Sequence, residues 1–66
     1  MQEYQALISR PDYLARLQAA RAAIERVGGR LVIGAPNAAG IHVVILRLPS
    51  RYTPDDFVPG LPFTPA

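Results

Sequence analysis

Residues 41–48 read Ile-His-Val-Val-Ile-Leu-Arg-Leu, and they decide the fold of this 66-residue chain. Glycine precedes the run, proline follows it and β-branched residues dominate it, so it is predicted to be a strand. Alternate side chains of a strand point to opposite faces, and here both faces are apolar. The residues concerned are Ile41, Val43 and Ile45 on one face, and Val44, Leu46 and Leu48 on the other. A sheet that contains this strand therefore needs a cover on each face.

A second strand is predicted over residues 30–34, where Leu-Val-Ile follows Arg30. Residues 34–40 would connect the two strands as a long hairpin loop. Glycine stands at both ends of this loop, but its sequence matches neither a P-loop nor a dinucleotide-binding fingerprint, and no helix follows it. Turn geometry is therefore its expected role.

A helix is predicted over about residues 10–27. Ser9 and Asp12 have the spacing of a capping box, Pro11 suits the first turn, and Gly28-Gly29 supplies a left-handed stop. Apolar residues recur at steps of three and four, which is typical of an amphipathic helix. They are Tyr13, Leu14, Leu17, Ala20, Ile24 and Val27. The opposite face is rich in alanine, at positions 15, 19, 22 and 23.

Residues 1–9 fit two patterns. Tyr4, Leu7 and Ile8 have helical spacing, whereas Tyr4, Ala6 and Ile8 alternate as in an edge strand. The interpretation leans slightly toward helix or irregular structure. The predicted fold is thus α+β, with one amphipathic helix packed on a β-hairpin in a domain of residues 1–49 and an extended proline-rich tail at 50–66.

Five of the seven prolines lie between Pro49 and Ala66, so regular hydrogen-bonded structure is not expected in the tail. Pro59, Pro62 and Pro65 recur every third residue, as in a polyproline II helix. The tail is nevertheless too apolar to remain solvated. Two places are open to it, the chain's own sheet or a neighbouring molecule, and its extended reach of roughly 56 Å favours the neighbour.

Composition excludes several classes of function. Without cysteine the chain has no disulfide and no thiolate site, and without lysine it has no Schiff-base or P-loop chemistry. The net charge is only +2 and the seven arginines are scattered, so nucleic acid is not an expected partner. The uncharged run at 31–46 is too short and too rich in turn residues for a membrane span, and no signal peptide precedes it. A cytoplasmic or virion location is expected.

Candidate chemical groups are few. His42 is the only histidine, so no zinc site is expected, and a triad with Ser50 and Asp55 or Asp56 lacks a nucleophile elbow. The Thr-Pro-Asp-Asp sequence at 53–56 is typical of a single capped helical turn. We therefore expect no catalytic, metal-binding or cofactor-binding residues and no small-molecule substrate.

Residues 22–33 and 40–49 together resemble the helix, Gly-Gly, strand, hairpin and strand ending in Leu-Pro of subtilisin propeptide-like inhibitor domains. The resemblance covers up to half of the chain. It implies a ferredoxin-like β-α-β-β-α-β order and a role as a protease inhibitor or intramolecular chaperone, whose C-terminal segment enters the protease cleft. No inhibitory residue is carried over by it.

A chain of this size buries only about 60% of its unfolded surface, and small cores of this kind commonly need a partner. The expected function is therefore a non-enzymatic structural or interaction subunit, which self-associates or docks into a phage particle or a multi-subunit bacterial complex. Its partner is expected to be protein. The predicted partner-binding residues are Val44, Leu46, Leu48, Tyr52, Phe57, Leu61 and Phe63.

Overall fold

The computed structural model describes residues 1–66 and contains one helix packed on a four-stranded antiparallel sheet. The elements are β1 (Gln2–Ile8), α1 (Pro11–Arg26), β2 (Arg30–Ile33), β3 (His42–Leu48), a 3₁₀ turn (Pro54–Asp56) and β4 (Thr64–Pro65). The strand order across the sheet is β2-β3-β1-β4. The predicted α+β class is confirmed, although the sheet has two strands more than the predicted hairpin.

Residues 2–8 form β1, a central strand of the sheet, so the preference for helix or irregular structure over residues 1–9 was wrong. β1 runs antiparallel to β3 along its whole length, from Gln2 opposite Leu48 to Ile8 opposite His42. The apolar strand β3 therefore has a hydrogen-bonded neighbour on each side, β1 on one and β2 on the other. Because β3 lies between β1 and β2, the segment from β1 through α1 to β2 is a split β-α-β unit.

Helix α1 begins one residue later and ends one residue earlier than its expected bounds of 10–27. Its N-cap is Arg10, which makes no side-chain capping bond, so the capping box expected from Ser9 does not form. Instead, the Arg10 guanidinium binds the Asp12 carboxylate at 2.7 Å. This hydrogen bond lowers the pKa of the Asp12 carboxyl below its ordinary value.

The two glycines after α1 serve different purposes. Gly28 has a φ of +86°, the left-handed conformation that ends a helix and that glycine adopts without steric cost. Gly29 brings the chain close to β3, because a Cβ atom built there would lie 2.7 Å from the carbonyl oxygen of Arg47. The Gly-Gly pair therefore both stops the helix and lets β2 dock beside β3.

The core lies between α1, the tail and one face of the sheet. Leu17 and Ile24 of α1 are fully buried, and Tyr13, Leu14 and Ala20 of the predicted apolar stripe pack against the core. The buried residues are Ala6, Ile8, Leu17, Ile24, Leu31, Val44, Leu46, Leu48, Val58 and Leu61. Every strand residue in this set lies on the same face of the sheet.

The proline-rich tail folds back over its own chain, which corrects the expectation that it extends to a neighbour. Val58 and Leu61 are buried in the core, and β4 pairs with β1, Pro65 opposite Tyr4. The Arg16 guanidinium of α1 also donates to the Pro59 carbonyl. The radius of gyration is 11.1 Å, close to the value of about 10.8 Å expected for a compact chain of this length.

The tail contains the predicted helical turn. The Asp56 carboxylate accepts hydrogen bonds from the Thr53 N–H at 2.7 Å and from the Thr53 hydroxyl at 3.3 Å. The Tyr52 and Phe57 rings, at the two ends of the turn, lie with their centroids 5.5 Å apart. The turn brings Val58 to the core at the point where a β-α-β-β-α-β order would have its second helix.

Candidate functional site: the open face of the sheet

The residues with catalytic potential are not brought together. His42 lies at the start of β3 and Ser50 follows its end, so the length of the strand, about 20 Å, separates them. The Nδ1 of His42 donates to the Gly34 carbonyl at 2.7 Å, which ties the ring to the hairpin loop. The carboxylates of Asp55 and Asp56 accept hydrogen bonds from the backbone of the tail. His42, Asp55 and Asp56 thus each have a local structural partner.

Neither a metal cluster nor a membrane helix is found. No group of three or more histidine, cysteine, aspartate or glutamate side chains is placed to hold a metal ion. Helix α1 is too short and too polar to cross a bilayer. The remaining candidate site is the exposed surface of the sheet.

Three of the predicted partner-binding residues lie in the core of their own chain. Val44, Leu46 and Leu48 have no exposed surface, because this face of β3 is covered by α1 and the tail. The other four belong to the tail, where Leu61 is buried and Tyr52, Phe57 and Phe63 pack partly buried against the core. The prediction that β3 is apolar on both faces holds, but the face left uncovered is the opposite one.

We call that uncovered surface the open face. The strand registers arrange its side chains in three rows across the sheet. The rows are Arg30, Arg47 and Glu3; then Val32, Ile45, Gln5 and Thr64; then Val43 and Leu7. The first row is charged, the second is mixed and the third is apolar.

The open face exposes large apolar side chains. Leu7 is 68% exposed, Val43 49% and Val32 44%. Antiparallel sheets with one solvated face normally carry polar side chains there. A contiguous exposed apolar surface on a small protein is typical of a contact with another molecule.

The charges of the open face are partly paired. Arg47 donates through Nε to Glu3 Oε2 at 2.8 Å, across β3 and β1. Arg30 of β2 is the register partner of Arg47 on the side of β3 away from Glu3, and it forms no salt bridge of its own. With Val32 and Ile45, these two arginines surround a shallow depression of about 220 Å³.

A second depression, of about 450 Å³, lies at the other end of the open face. Its lining includes Leu7 and Val43 with Gln5, Pro62 and Thr64. It is open to solvent and mainly apolar. The open face thus has an apolar hollow at one end and a basic one at the other.

The two edges of the sheet are partly capped by the chain itself. Arg21 of α1 donates to the Leu31 carbonyl of the edge strand β2 at 2.8 Å. At the other edge Pro65 lies in β4 and Pro62 precedes it, and proline offers no N–H for a further strand. These two devices limit edge pairing, and the open face is the broader exposed apolar surface.

A groove between α1 and the tail is a weaker candidate. Arg16, Ala19, Ala20, Phe57 and Pro59 line it, around about 300 Å³. The alanines at 15, 19 and 22 are exposed, but they present little apolar area. The groove has no large apolar side chain as exposed as Leu7 or Val43 of the open face.

Comparisons with protein-family models, with curated proteins and with solved structures found no match to this chain.

Proposed function

We propose that the protein is a non-enzymatic interaction subunit that contacts protein through the open face of its sheet. The observation that supports this most directly is the exposure of Leu7, Val32 and Val43 on one face. The chain covers the other face with its own helix and tail and partly caps both edges. The open face is thus left uncovered, with exposed apolar side chains beside a charged row and with the paired strands β1 and β3 at its centre.

Leaving these apolar side chains in water costs free energy that a partner could recover. Burying one aliphatic side chain of this size is worth roughly 1.5–3 kcal/mol, so three half-exposed ones offer a few kcal/mol to a partner. A single core in a chain of this length rarely supplies more than ~3–5 kcal/mol. A contact at the open face would therefore add stabilisation comparable to that of the core itself.

The setting we propose is a larger assembly in the cytoplasm or in a virion, such as a multi-subunit bacterial complex or a phage particle. A small subunit of this kind would occupy a defined position through one face. Its tail, folded on its own core, would contribute stability rather than contact.

Site-specific photo-crosslinking in cells that express the protein tests this proposal. A photoreactive phenylalanine analogue at position 43, on the open face, is compared with the same analogue at position 19, on the exposed alanine face of α1. We expect discrete protein adducts from position 43 only, and we expect Leu7→Asp to abolish them. Absence of adducts at position 43, or equal adducts at both positions, would contradict the proposal.

A second candidate is a protease inhibitor or propeptide of the subtilisin type. The split β-α-β unit supports it, since the resemblance over residues 22–49 implies a ferredoxin-like order, which contains such a unit. The packing of Leu61 in its own core and the pairing of β4 with β1 argue against a free C-terminal segment. An inhibition assay separates the two proposals: an inhibitor slows cleavage by a subtilisin-type protease, and an interaction subunit leaves the rate unchanged.

A further inference from the structure

We infer that the occupant of the open face is a second copy of this chain, packed face to face about a two-fold axis that runs along the strands. This inference rests on the proposed function, since it names the partner at the same surface. The midline between β1 and β3 divides the sheet order β2-β3-β1-β4 into equal halves. A two-fold axis above this midline places β3 of one copy over β1 of the other.

This symmetry keeps each row of side chains level with the same row of the second copy. Glu3 and Arg47 share one row, and Leu7 and Val43 share another. The rotation therefore sets Glu3 opposite Arg47 of the second copy and Leu7 opposite Val43 of the second copy. Each contact occurs twice, as an isologous interface requires.

The charges favour this arrangement. Two glutamates and two arginines alternate in sign around the axis, so each carboxylate has an arginine on both sides. Arg47 uses only its Nε in the existing pair with Glu3. Its two terminal amino groups remain free to donate to the carboxylate of the second copy.

The apolar residues favour it as well. Leu7 and Val43 are the two most exposed aliphatic residues of the sheet, and each would cover the other. A two-fold axis across the strands would instead set the charged row against this apolar row, which leaves Arg47 and Glu3 without charged partners on the second copy. Only the axis along the strands places apolar side chains against apolar side chains and opposite charges against each other.

The area of the open face sets the strength of the contact. With strands about 4.8 Å apart and the three rows of the open face about 7 Å apart along the strands, three to four strands offer roughly 300–400 Å² in each copy. A standard stable interface buries about 800 Å² on each partner. We therefore expect a weak dimer, with a Kd of about 0.1–1 mM, of the kind that multiple contacts within an assembly reinforce.

Charge reversal with mixing tests this inference. Glu3→Arg makes all four charges at the axis positive, and Arg47→Glu makes all four negative. Each variant alone should lose at least about tenfold in dimer affinity, because like charges face each other. An equimolar mixture should form a heterodimer at least as tight as the wild-type dimer, since every contact between the copies is then between opposite charges.

Sedimentation equilibrium up to about 3 mM measures the dimer Kd in the range expected for so small an interface. Glu25→Arg and Arg26→Glu on exposed positions of α1 are the matched controls and should dimerise like the wild type. Circular dichroism establishes that each variant is folded. Should either reversal disturb the sheet, Val43→Thr keeps the β-branched shape and should still weaken the dimer severalfold.

Two results would overturn the inference: single reversals that dimerise like the wild type, or a mixture that stays monomeric. The wild-type chain could remain monomeric at 3 mM while position 43 crosslinks in cells to a different protein. That result would contradict the dimer and support the proposed function. Failure of both measurements would remove both proposals.

Discussion

Removal of residues 51–66 is expected to unfold the protein, because the tail forms part of the core. Val58 is 2% exposed and Leu61 8%, and burying each is worth roughly 1.5–3 kcal/mol. Deletion therefore removes about 3–6 kcal/mol from a core that rarely holds more than ~3–5 kcal/mol. It also uncovers the buried side chains of the sheet beneath.

Thermal and urea unfolding followed by circular dichroism measures this effect. The truncated chain should show no cooperative transition. Leu61→Ala in the full chain should cost about 2–5 kcal/mol, whereas Arg51→Ala, which removes an exposed side chain, should cost at most about 1 kcal/mol. A truncated chain that unfolds cooperatively, with a midpoint close to that of the wild type, would refute the assignment of the tail to the core.

Three further outcomes follow from the structure. Leu17→Ala should cost about 2–5 kcal/mol and abolish the cooperative transition, whereas Ala19→Ser on the exposed helix face should change stability by no more than about 0.5 kcal/mol; equal effects would contradict the burial assignment. Gly29→Ala should cost about 1–3 kcal/mol in urea unfolding, because its Cβ would press on the backbone of β3, and a neutral effect would show that no close approach exists there. Asp12 should titrate below the ordinary aspartate pKa by NMR, so its contribution to stability is present at neutral pH and is lost as the pH falls through its folded-state pKa; Arg10→Gln should raise this pKa, and an unchanged value would exclude the hydrogen bond as its cause.

Local signals in the sequence predict the helix and two strands well. Pro11, the apolar spacing around Leu17 and Ile24, and the Gly28-Gly29 stop all act within a few residues. The strand character of 42–48 follows from its β-branched residues in the same way. These elements could be located without knowledge of their neighbours.

The remaining elements depend on partners distant in the sequence. β1 contains Gln2, Glu3 and Gln5, which have little preference for strands, and it is a strand because β3 offers an unpaired edge. β4 consists of two residues held by the same strand. Such pairings are decided by tertiary context, so the pattern of residues 1–9 alone left them open.

The choice between the two faces of β3 also depends on tertiary structure. The alternation shows that both faces are apolar, but not which one the helix covers. The tail decides the matter, because Val58 and Leu61 join α1 on the face that carries Val44 and Leu46. The sequence interpretation placed the tail on a neighbouring molecule, so the face with Val44 and Leu46 was expected to bind a partner. The open face was therefore not predicted as a contact surface.

Isotope-filtered NOE spectroscopy on an equimolar mixture of labelled and unlabelled chains tests the role of the open face most directly. The experiment reports only contacts between copies, so the Leu7–Val43 contact within one sheet does not interfere. We predict intermolecular cross-peaks between the methyl groups of Leu7 and Val43 at millimolar concentration. Cross-peaks from the alanine face of α1 instead, or no intermolecular cross-peak at all, would contradict the account.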